Sequence, residues 1–153
     1  MLGKVAKKLR LFGFDTEYLA NTDDNEIIKR GLDSKRIILT KDKQLHKRLI
    51  KLKIPSFPII SENELETLVI IMKESHINYV YSVPNENTRC SLCNGTLDEI
   101  QKPSLVNVVP KKVFENTSMF FECSNCNKIY WDGKHIKEIN QIIDKINKEI
   151  KQV

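Results

Sequence analysis

The sequence contains no uninterrupted run of about 18 apolar residues, which is the length that a membrane-spanning helix needs. Its apolar stretch at 68–72 is far too short to cross a bilayer. The basic first residues are not followed by the apolar core and small-residue cleavage site of a secretion signal. Cysteine is scarce, at four residues, and nothing else points to an oxidising compartment. These absences argue against an integral membrane protein and predict a mature cytoplasmic protein with no membrane partner.

The charge is unevenly distributed along the 153 residues. Residues 1–53 hold 14 Lys or Arg against 7 Asp or Glu, whereas residues 54–153 hold 11 against 13. A basic first third favours a polyanionic partner, of which RNA or DNA is the usual one. The alternative is a solvated lysine-rich surface without a partner. A hydrophobic content of 41% with 29% charged residues is typical of a folded protein and argues against disorder of the whole chain.

Helical and strand-like patterns alternate over the first 76 residues. An amphipathic basic helix near Met1 should end at Gly13, and Asp23 with Glu26, and Ser61 with Glu64, form capping pairs for later helices. The predicted strands are 14–19, 36–39 and 57–60, and the predicted later helices are 24–30 (closed by Gly31), 43–52 and 61–75. Such alternation predicts a parallel sheet flanked by helices, with ligand sites at the C-terminal ends of the strands.

The later sequence changes character. Residues 77–88 lose the helical period and contain Pro84, so they are predicted to link an α/β domain at 1–76 to a cysteine-containing domain at 89–135. Residues 136–153 are predicted to form an amphipathic helix. Its apolar seam consists of Ile136, Ile139, Ile143, Ile146 and Ile150. The seam either packs on its own protein or binds a protein partner.

Two Cys-x-x-Cys pairs contain all the cysteine of the chain: Cys90 with Cys93, and Cys123 with Cys126. Four thiolates in two such pairs are typical of tetrahedral zinc, and because they leave no open position the metal should be structural. Each pair is followed by Asn, a residue that tolerates the left-handed conformation, which suggests two equivalent half-sites. The interval of about 29 residues between the pairs predicts a hairpin with an exposed loop near 103–110.

Other interpretations of the cysteines and of the nearby aromatic residues stay open. The cysteines could form disulfides, or one pair could be a redox motif. His135 could pack or contact RNA. Phe120, Phe121, Tyr130 and Trp131 could stack on bases, although a small β domain also needs an aromatic core.

Acidic residues near predicted helix starts are the candidates for catalysis. They are Asp23, Asp24, Glu26 and Asp42, and Asp42 directly follows a predicted buried strand. Convergent carboxylates bind magnesium or manganese, which activates water for phosphodiester cleavage. The alternative is that these residues cap helices. The candidate RNA-binding residues are Lys4, Lys7, Lys8, Arg10, Lys41 and Lys43.

Several segments together resemble one family. The first segment runs from Met1-Leu2-Gly3-Lys4 to Asp15-Thr16, and the others are 23–26, 39–42, the two cysteine pairs and 129–135. They resemble, over roughly residues 1–136, the PIN-like ribonuclease domain of the Mut-seven C-terminal (Mut7-C) type and the zinc ribbon that follows it. The resemblance implies a PIN-like α/β domain, a zinc ribbon at 89–135, an RNA substrate and a divalent cation in an acidic site. Asp23, Asp24 and Asp42 match acidic positions of the family.

The family usually has a β-strand ending in Asp just before the segment that begins here at Met1. We therefore expect either that the start site lies upstream or that this member has lost an edge of its sheet and one metal ligand. Two functions stay open: a metal-dependent endoribonuclease, and a catalytically degenerate RNA-binding protein associated with a ribosome or another ribonucleoprotein, with ribosomal RNA as a possible partner. A toxin-like PIN protein and a protein-interaction module are further alternatives.

Overall fold

The computed structural model describes residues 2–151, which form a mixed α/β protein of two compact units. In chain order the elements are α1 (Leu2–Leu11), α2 (Asp24–Ser34), β1 (Ile38–Thr40), α3 (Lys43–Lys51), β2 (Ser56–Pro58), α4 (Glu64–Glu74), β3 (Leu97–Ile100), a 3₁₀ helix (Lys102–Leu105), α5 (Lys111–Asn116), β4 (Phe120–Cys123), β5 (Ile129–Trp131) and α6 (Lys134–Lys151). Within residues 2–151, no helix is both long enough and apolar enough to span a bilayer.

One unit comprises residues 18–77 and is called the α/β unit; the other joins residues 2–17 to the chain from residue 78 onward and is called the ribbon unit. The change of unit near residue 77 lies at the predicted linker. The grouping of residues 2–17 with the later part of the chain was not foreseen. The predicted boundaries of independently folding domains stay a prediction.

The α/β unit is built on a small parallel sheet. Strand β1 pairs with β2 in parallel, with Ile38 opposite Ser56, and α3 forms the connection between them. Its buried core consists of Ile28, Leu45, Leu49 and Ile54, with Ile27 and Ile38 packed against it. The helical spacing of these residues in α2 and α3 explains why both helices turn one apolar face inward. The predicted parallel sheet with helices is confirmed for the second and third predicted strands.

The predicted strand at 14–19 is wrong. Residues 14–19 have no regular secondary structure, because side chains bind the backbone where a neighbouring strand would. The amide of Thr16 donates to Oδ1 of Asn94 at 3.0 Å, and its carbonyl accepts from Nε of Arg10 at 2.8 Å. Both partners belong to the ribbon unit, as does Thr16 itself.

Two predicted helix boundaries also need correction. Gly31 does not close α2, which continues to Ser34 and ends with Lys35 in the left-handed conformation. Gly31 instead packs closely against Ile38, because a Cβ there would lie 2.6 Å from Cδ1 of that isoleucine and would require its side chain to shift. Helix α4 is capped by the side chain of Asn63, which accepts from the amide of Glu66. The predicted capping residue Ser61 donates to the carboxylate of Glu66.

The ribbon unit contains a separate antiparallel sheet in the order β3-β4-β5. Phe120 of β4 is fully buried and packs with Leu105 and Val109 from the connection between β3 and β4. Trp131, which lies opposite Phe120, packs against the same cluster. The predicted hairpin is therefore confirmed, and residues 103–110 are exposed as predicted except for Leu105 and Val109, whose side chains join the core. The core interpretation of Phe120 and Trp131 is favoured over base stacking.

Helix α6 buries its isoleucine seam within the chain. Ile136, Ile139, Ile143 and Ile146 are all less than a tenth exposed. Two asparagines, Asn140 and Asn147, use both ends of their amides to hold the backbone of Val83 and Val80, respectively. Of the two interpretations of the seam, intramolecular packing is therefore favoured, because these four isoleucines are covered within the chain; the alternative, a protein partner, is not needed to cover them.

Candidate metal centre

The two cysteine pairs form matching turns. In the first, the amide of Asn94 donates to the carbonyl of Cys90 at 2.9 Å; in the second, the amide of Asn127 donates to the carbonyl of Cys123 at 2.9 Å. The amides of Cys90 and Cys123 each donate to the carbonyl five residues later, at 2.8 and 3.0 Å. Both asparagines have positive φ, 69° and 58°. The prediction of two equivalent turns with left-handed Asn residues is confirmed.

The sheet register brings these turns together. Leu97, just beyond the first turn, lies opposite Cys123 in the β3–β4 pair. Gly95 permits the close approach, because a Cβ at that position would lie 2.9 Å from Sγ of Cys123. A larger residue there would collide with this sulfur atom and with the side chain of Asn125. The small size of Gly95 is therefore what this position needs.

The four sulfur atoms lie within 4.8 Å of one another. The Sγ atoms of Cys90 and Cys126 are 3.6 Å apart, and those of Cys93 and Cys123 are 3.3 Å apart. A disulfide would require about 2.05 Å, so all four thiols are free. A tetrahedron with zinc–sulfur bonds of about 2.3 Å places its sulfur atoms about 3.8 Å apart. A small outward movement of the thiols therefore accommodates zinc, and the all-thiolate donor set fits this metal.

The centre has a buried side and an exposed side. Cys90 and Cys123 are buried, whereas Cys93 and Cys126 are exposed. The Tyr130 hydroxyl lies 3.1 Å from Sγ of Cys90 and also accepts from the amide of Ser91. Burial raises the pKa of Cys90, but hydrogen bonds from Tyr130 and from backbone amides outweigh burial and lower that pKa to about 6. One thiolate is therefore prepared for metal binding by its neighbours.

The pKa values of Cys93 and Cys126 shift in the opposite direction. A backbone hydrogen bond from Gly95 lowers the pKa of Cys93, but desolvation and hydrogen bonding with the three other thiols raise it to about 12. The pKa of Cys126 is also raised, since desolvation and hydrogen bonding with Cys90 and Cys123 outweigh a backbone hydrogen bond from Lys128. Four adjacent sulfur atoms cannot all be anionic without a cation. Binding zinc must therefore displace protons from this cluster.

Arg10 anchors the first cysteine turn. The sequence placed Arg10 on the basic face of α1 as a phosphate contact, but it is only 8% exposed. Its guanidinium donates to the carbonyls of Ser91 at 3.1 Å, Leu92 at 2.9 Å and Thr16 at 2.8 Å. An arginine fork suits such a set of acceptors. The proposed RNA-binding set therefore omits Arg10.

Sequence reasoning did not identify Arg10, Tyr130 or Asn94 as supports of the metal centre. The side chain of Asn94 accepts from Thr16 and donates to Asp15 at 2.6 Å. The nearest sequence indication was that Asn94 directly follows a cysteine pair and that Tyr130 lies in a segment shared with the resembled family. Neither observation identifies the residue that each side chain binds. His135 is exposed and lies 3.9 Å from Glu138, so it is not a core residue.

The candidate catalytic carboxylates cap helices or form a salt bridge. Asp23 caps α2 by accepting from the amide of Asn25, and Asp42 caps α3 by accepting from the amides of Gln44 and Leu45 at 2.7 and 3.1 Å. Asp24 pairs with Arg48 at 3.0 Å. Across residues 2–151, the one group of three or more Cys, His, Asp or Glu side chains close enough to share a metal is the cysteine cluster. A magnesium or manganese ion at the acidic residues stays a prediction.

Four of the six lysine and arginine candidates are exposed. Lys4 and Lys7 lie on the exposed face of α1, Lys43 begins α3, and Lys8 is half-buried. Lys41 is exposed but pairs with Glu62, and this ammonium lowers the pKa of the glutamate. Lys4, Lys7 and Lys43 are therefore exposed phosphate-binding candidates within their respective units, and Lys8 and Lys41 stay predictions.

The comparisons with known proteins give one match. No curated protein and no solved structure matches the chain. A family model described as the Mut7-C RNAse domain matches residues 1–143. That range includes α1, the α/β unit, the four cysteines and most of α6, so the segments that resemble the family lie within one continuous match. The chain belongs to the Mut7-C RNAse domain family.

Proposed function

We propose that this protein is an RNA-binding, metal-dependent endoribonuclease with a PIN-like α/β unit and a structural zinc ribbon. The observation that carries the proposal is the family match over residues 1–143. RNA is its substrate, and magnesium or manganese is its catalytic cation. A cytoplasmic location is part of the same proposal.

The position of Asp42 supports catalysis in the α/β unit. It follows β1 by two residues, at the carboxyl end of a parallel strand, where α/β proteins place their ligand sites. Both capping hydrogen bonds end on Oδ1 of Asp42, and the residue is exposed. Capping and metal binding can therefore involve different oxygen atoms of one carboxylate. In this proposal Asp23 and Asp24 complete the acidic site.

RNA binding is assigned to exposed lysines. Lys4 and Lys7 of α1, with Lys8, contact phosphates, and Lys41 and Lys43 do so beside Asp42. Each ammonium that neutralises a phosphate releases counterions, so affinity should fall steeply with salt. The zinc ribbon stabilises the ribbon unit, because four thiolates leave zinc no position for a reacting water.

A second function is favoured by the roles that the carboxylates already have. Asp23 and Asp42 cap helices, and Asp24 pairs with Arg48. A protein that retained these residues for folding alone would bind RNA without cutting it. We infer that this catalytically degenerate form, stationed on a ribosome or another ribonucleoprotein, is the alternative function.

Asp42→Asn in the zinc-loaded full chain separates the two functions. Asn caps a helix about as well as Asp, so the variant should fold and melt like the wild type within a few tenths of a kcal/mol. It removes the negative charge that a catalytic cation needs. If the protein is a nuclease, cleavage of labelled RNA requires added magnesium or manganese and falls at least about 100-fold in this variant, a loss of about 2.7 kcal/mol.

Asp33→Asn is the matched control, because Asp33 is exposed near the end of α2 and is not a candidate ligand. The nuclease proposal fails if wild-type protein shows tight, salt-sensitive RNA binding but no metal-dependent cleavage, which is the result expected of the alternative. Equal cleavage by wild type and Asp42→Asn would remove Asp42 from the mechanism. Absence of any RNA binding would refute both functions.

A further inference from the structure

Two exposed tyrosines lie side by side in the ribbon unit. Tyr79 is 48% exposed and Tyr81 is 69% exposed. Their ring centroids are 5.2 Å apart, with the rings inclined by 78°. Large aromatic side chains usually lose much of their surface to a core. Tyr79 and Tyr81 both keep a large exposed surface, and neither the metal centre nor the acidic residues involve them.

The backbone between the tyrosines is held rigidly. Val80 is 2% exposed, and Asn147 of α6 accepts from its amide at 2.9 Å and donates to its carbonyl at 2.8 Å. Asn140, two helical turns earlier, binds the amide and carbonyl of Val83 in the same way, each at 2.8 Å. In an extended segment, neighbours on both sides of an inward residue point outward. Anchoring Val80 therefore presents Tyr79 and Tyr81 together.

Cations lie beside the ring of Tyr79. Nζ of Lys151 is 5.6 Å from the centroid of Tyr79, within the range of a cation–π contact. A groove of about 290 Å³ is lined by Tyr79, Asn147, Lys148, Lys151 and one carboxylate, that of Asp144. Two ammonium groups against one carboxylate leave the groove with a net positive charge.

We propose that Tyr79 and Tyr81, with Lys148 and Lys151, form a stacking platform for the bases of single-stranded RNA. Aromatic faces stack on any base, and adjacent lysines bind the phosphates that connect successive bases. The positive charge of the lysines complements the RNA phosphates, and the backbone between the tyrosines is anchored. Both features favour RNA over an apolar protein surface as the binding partner. The platform rests on the proposed function, because it supplies the substrate class, unpaired RNA, that the acidic site would act on.

The test measures binding of a fluorescent 12-nucleotide single-stranded RNA to the zinc-loaded full chain, without added magnesium or manganese so that no cleavage intervenes. Tyr81→Ala and Tyr79→Ala should each weaken binding by about fivefold to 100-fold, the range that loss of one stacked base gives. Tyr81→Phe should retain the affinity, since the ring is kept. Lys148→Gln and Lys151→Gln should each reduce the salt slope of log affinity by about 0.7.

Tyr18→Ala is the matched control, because Tyr18 is also 48% exposed but belongs to the α/β unit. It should leave binding unchanged, and a duplex RNA of equal length should not respond to the Tyr81→Ala change. Thermal melting and zinc content verify that each variant is folded, and a variant of Tyr81 that fails to fold is replaced by Tyr81→Ser. The platform is refuted, with RNA binding still intact, if Tyr79 and Tyr81 variants bind like the wild type.

Other outcomes distinguish failure of the stacking platform from failure of the proposed function. If the Tyr81→Ala change leaves RNA affinity unaltered but changes the sedimentation of the protein, the surface joins copies of the chain and the RNA platform is refuted. If the wild type binds no RNA, the platform and the proposed function both fail. If Asp42→Asn abolishes cleavage while the tyrosine variants alter nothing, the proposed function stands without the platform.

Discussion

Replacing Arg10 should destabilise the protein far more than the loss of a surface charge would. The guanidinium is buried and donates to three backbone carbonyls, those of Thr16, Ser91 and Leu92. Arg10→Met retains much of the side-chain length but removes every donor. The three carbonyls then lose a charged partner in a partly buried region.

The size of the effect follows from these contacts. A hydrogen bond to a charged group contributes about 1.5–3 kcal/mol, and neighbouring bonds are not additive. We therefore expect Arg10→Met to lower the free energy of unfolding by about 3–5 kcal/mol, a large part of the ~5–15 kcal/mol typical of a domain. Arg10→Lys keeps the charge but not the fork, so it should cost about 2–3 kcal/mol.

Urea unfolding of the zinc-loaded protein, followed by circular dichroism, measures the loss. Zinc release to a colorimetric chelator should accelerate in parallel, because Arg10 holds the first cysteine turn. Lys7→Gln is the control on the exposed side of α1 and should change stability by less than about 0.5 kcal/mol. The reasoning is refuted if Arg10→Met unfolds at the wild-type urea concentration. It is also refuted if folded Arg10→Lys loses RNA affinity while its stability and zinc retention are unaltered, since that is the behaviour of a phosphate contact.

Three further predictions concern the ribbon unit. The protein should bind one zinc ion, and chelation or Cys90→Ser should unfold the ribbon unit to the same extent by circular dichroism; a chelated protein that melts unchanged would show that zinc has no structural role. Zinc affinity should rise with pH, because the pKa values of Cys93 and Cys126 are raised and zinc binding releases their protons. The affinity should fall most steeply below about pH 6, where the Cys90 thiolate is also protonated. Zinc competition between pH 5.5 and 8 tests this, and a flat profile would contradict it. Asn147→Ala should lower the free energy of unfolding in urea by about 2–3 kcal/mol, because it leaves the buried amide and carbonyl of Val80 without partners. The exposed Gln141→Ala should change stability little, and equal stability of the two variants would contradict the role given to the two Asn147 hydrogen bonds.

Local chemistry made the metal centre predictable from sequence. The spacing of the four cysteines indicated the ligand set, and the Asn residue after each pair indicated the left-handed turn that both pairs adopt. These features depend on residues within one turn of the chain. The helices of the α/β unit were predictable for the same reason, because apolar spacing and capping residues are local.

The unforeseen features depend on distant partners. Arg10 is basic and lies on an amphipathic helix, so an exposed position was the natural expectation; two of its three acceptors are 81 and 82 residues away. Residues 14–19 have the composition of a strand, but Thr16 is held by Asn94, which is 78 residues later. The seam of α6 could be recognised from its period, whereas the surface that covers it could not, because periodicity reports a face and not its partner.

The ribbon unit is discontinuous in sequence, since α1 precedes the α/β unit and the cysteine turns follow it. Ribosomes add about 5–20 residues per second, so Arg10 emerges roughly 4–16 s before the carbonyls it binds, which are 81 and 82 residues later. The α/β unit is complete within that interval, whereas the second cysteine pair and α6 are still to be made. We therefore expect zinc binding by the four cysteines to be a late event in biogenesis. A cell short of zinc should then accumulate chains whose ribbon unit is incomplete and sensitive to proteases.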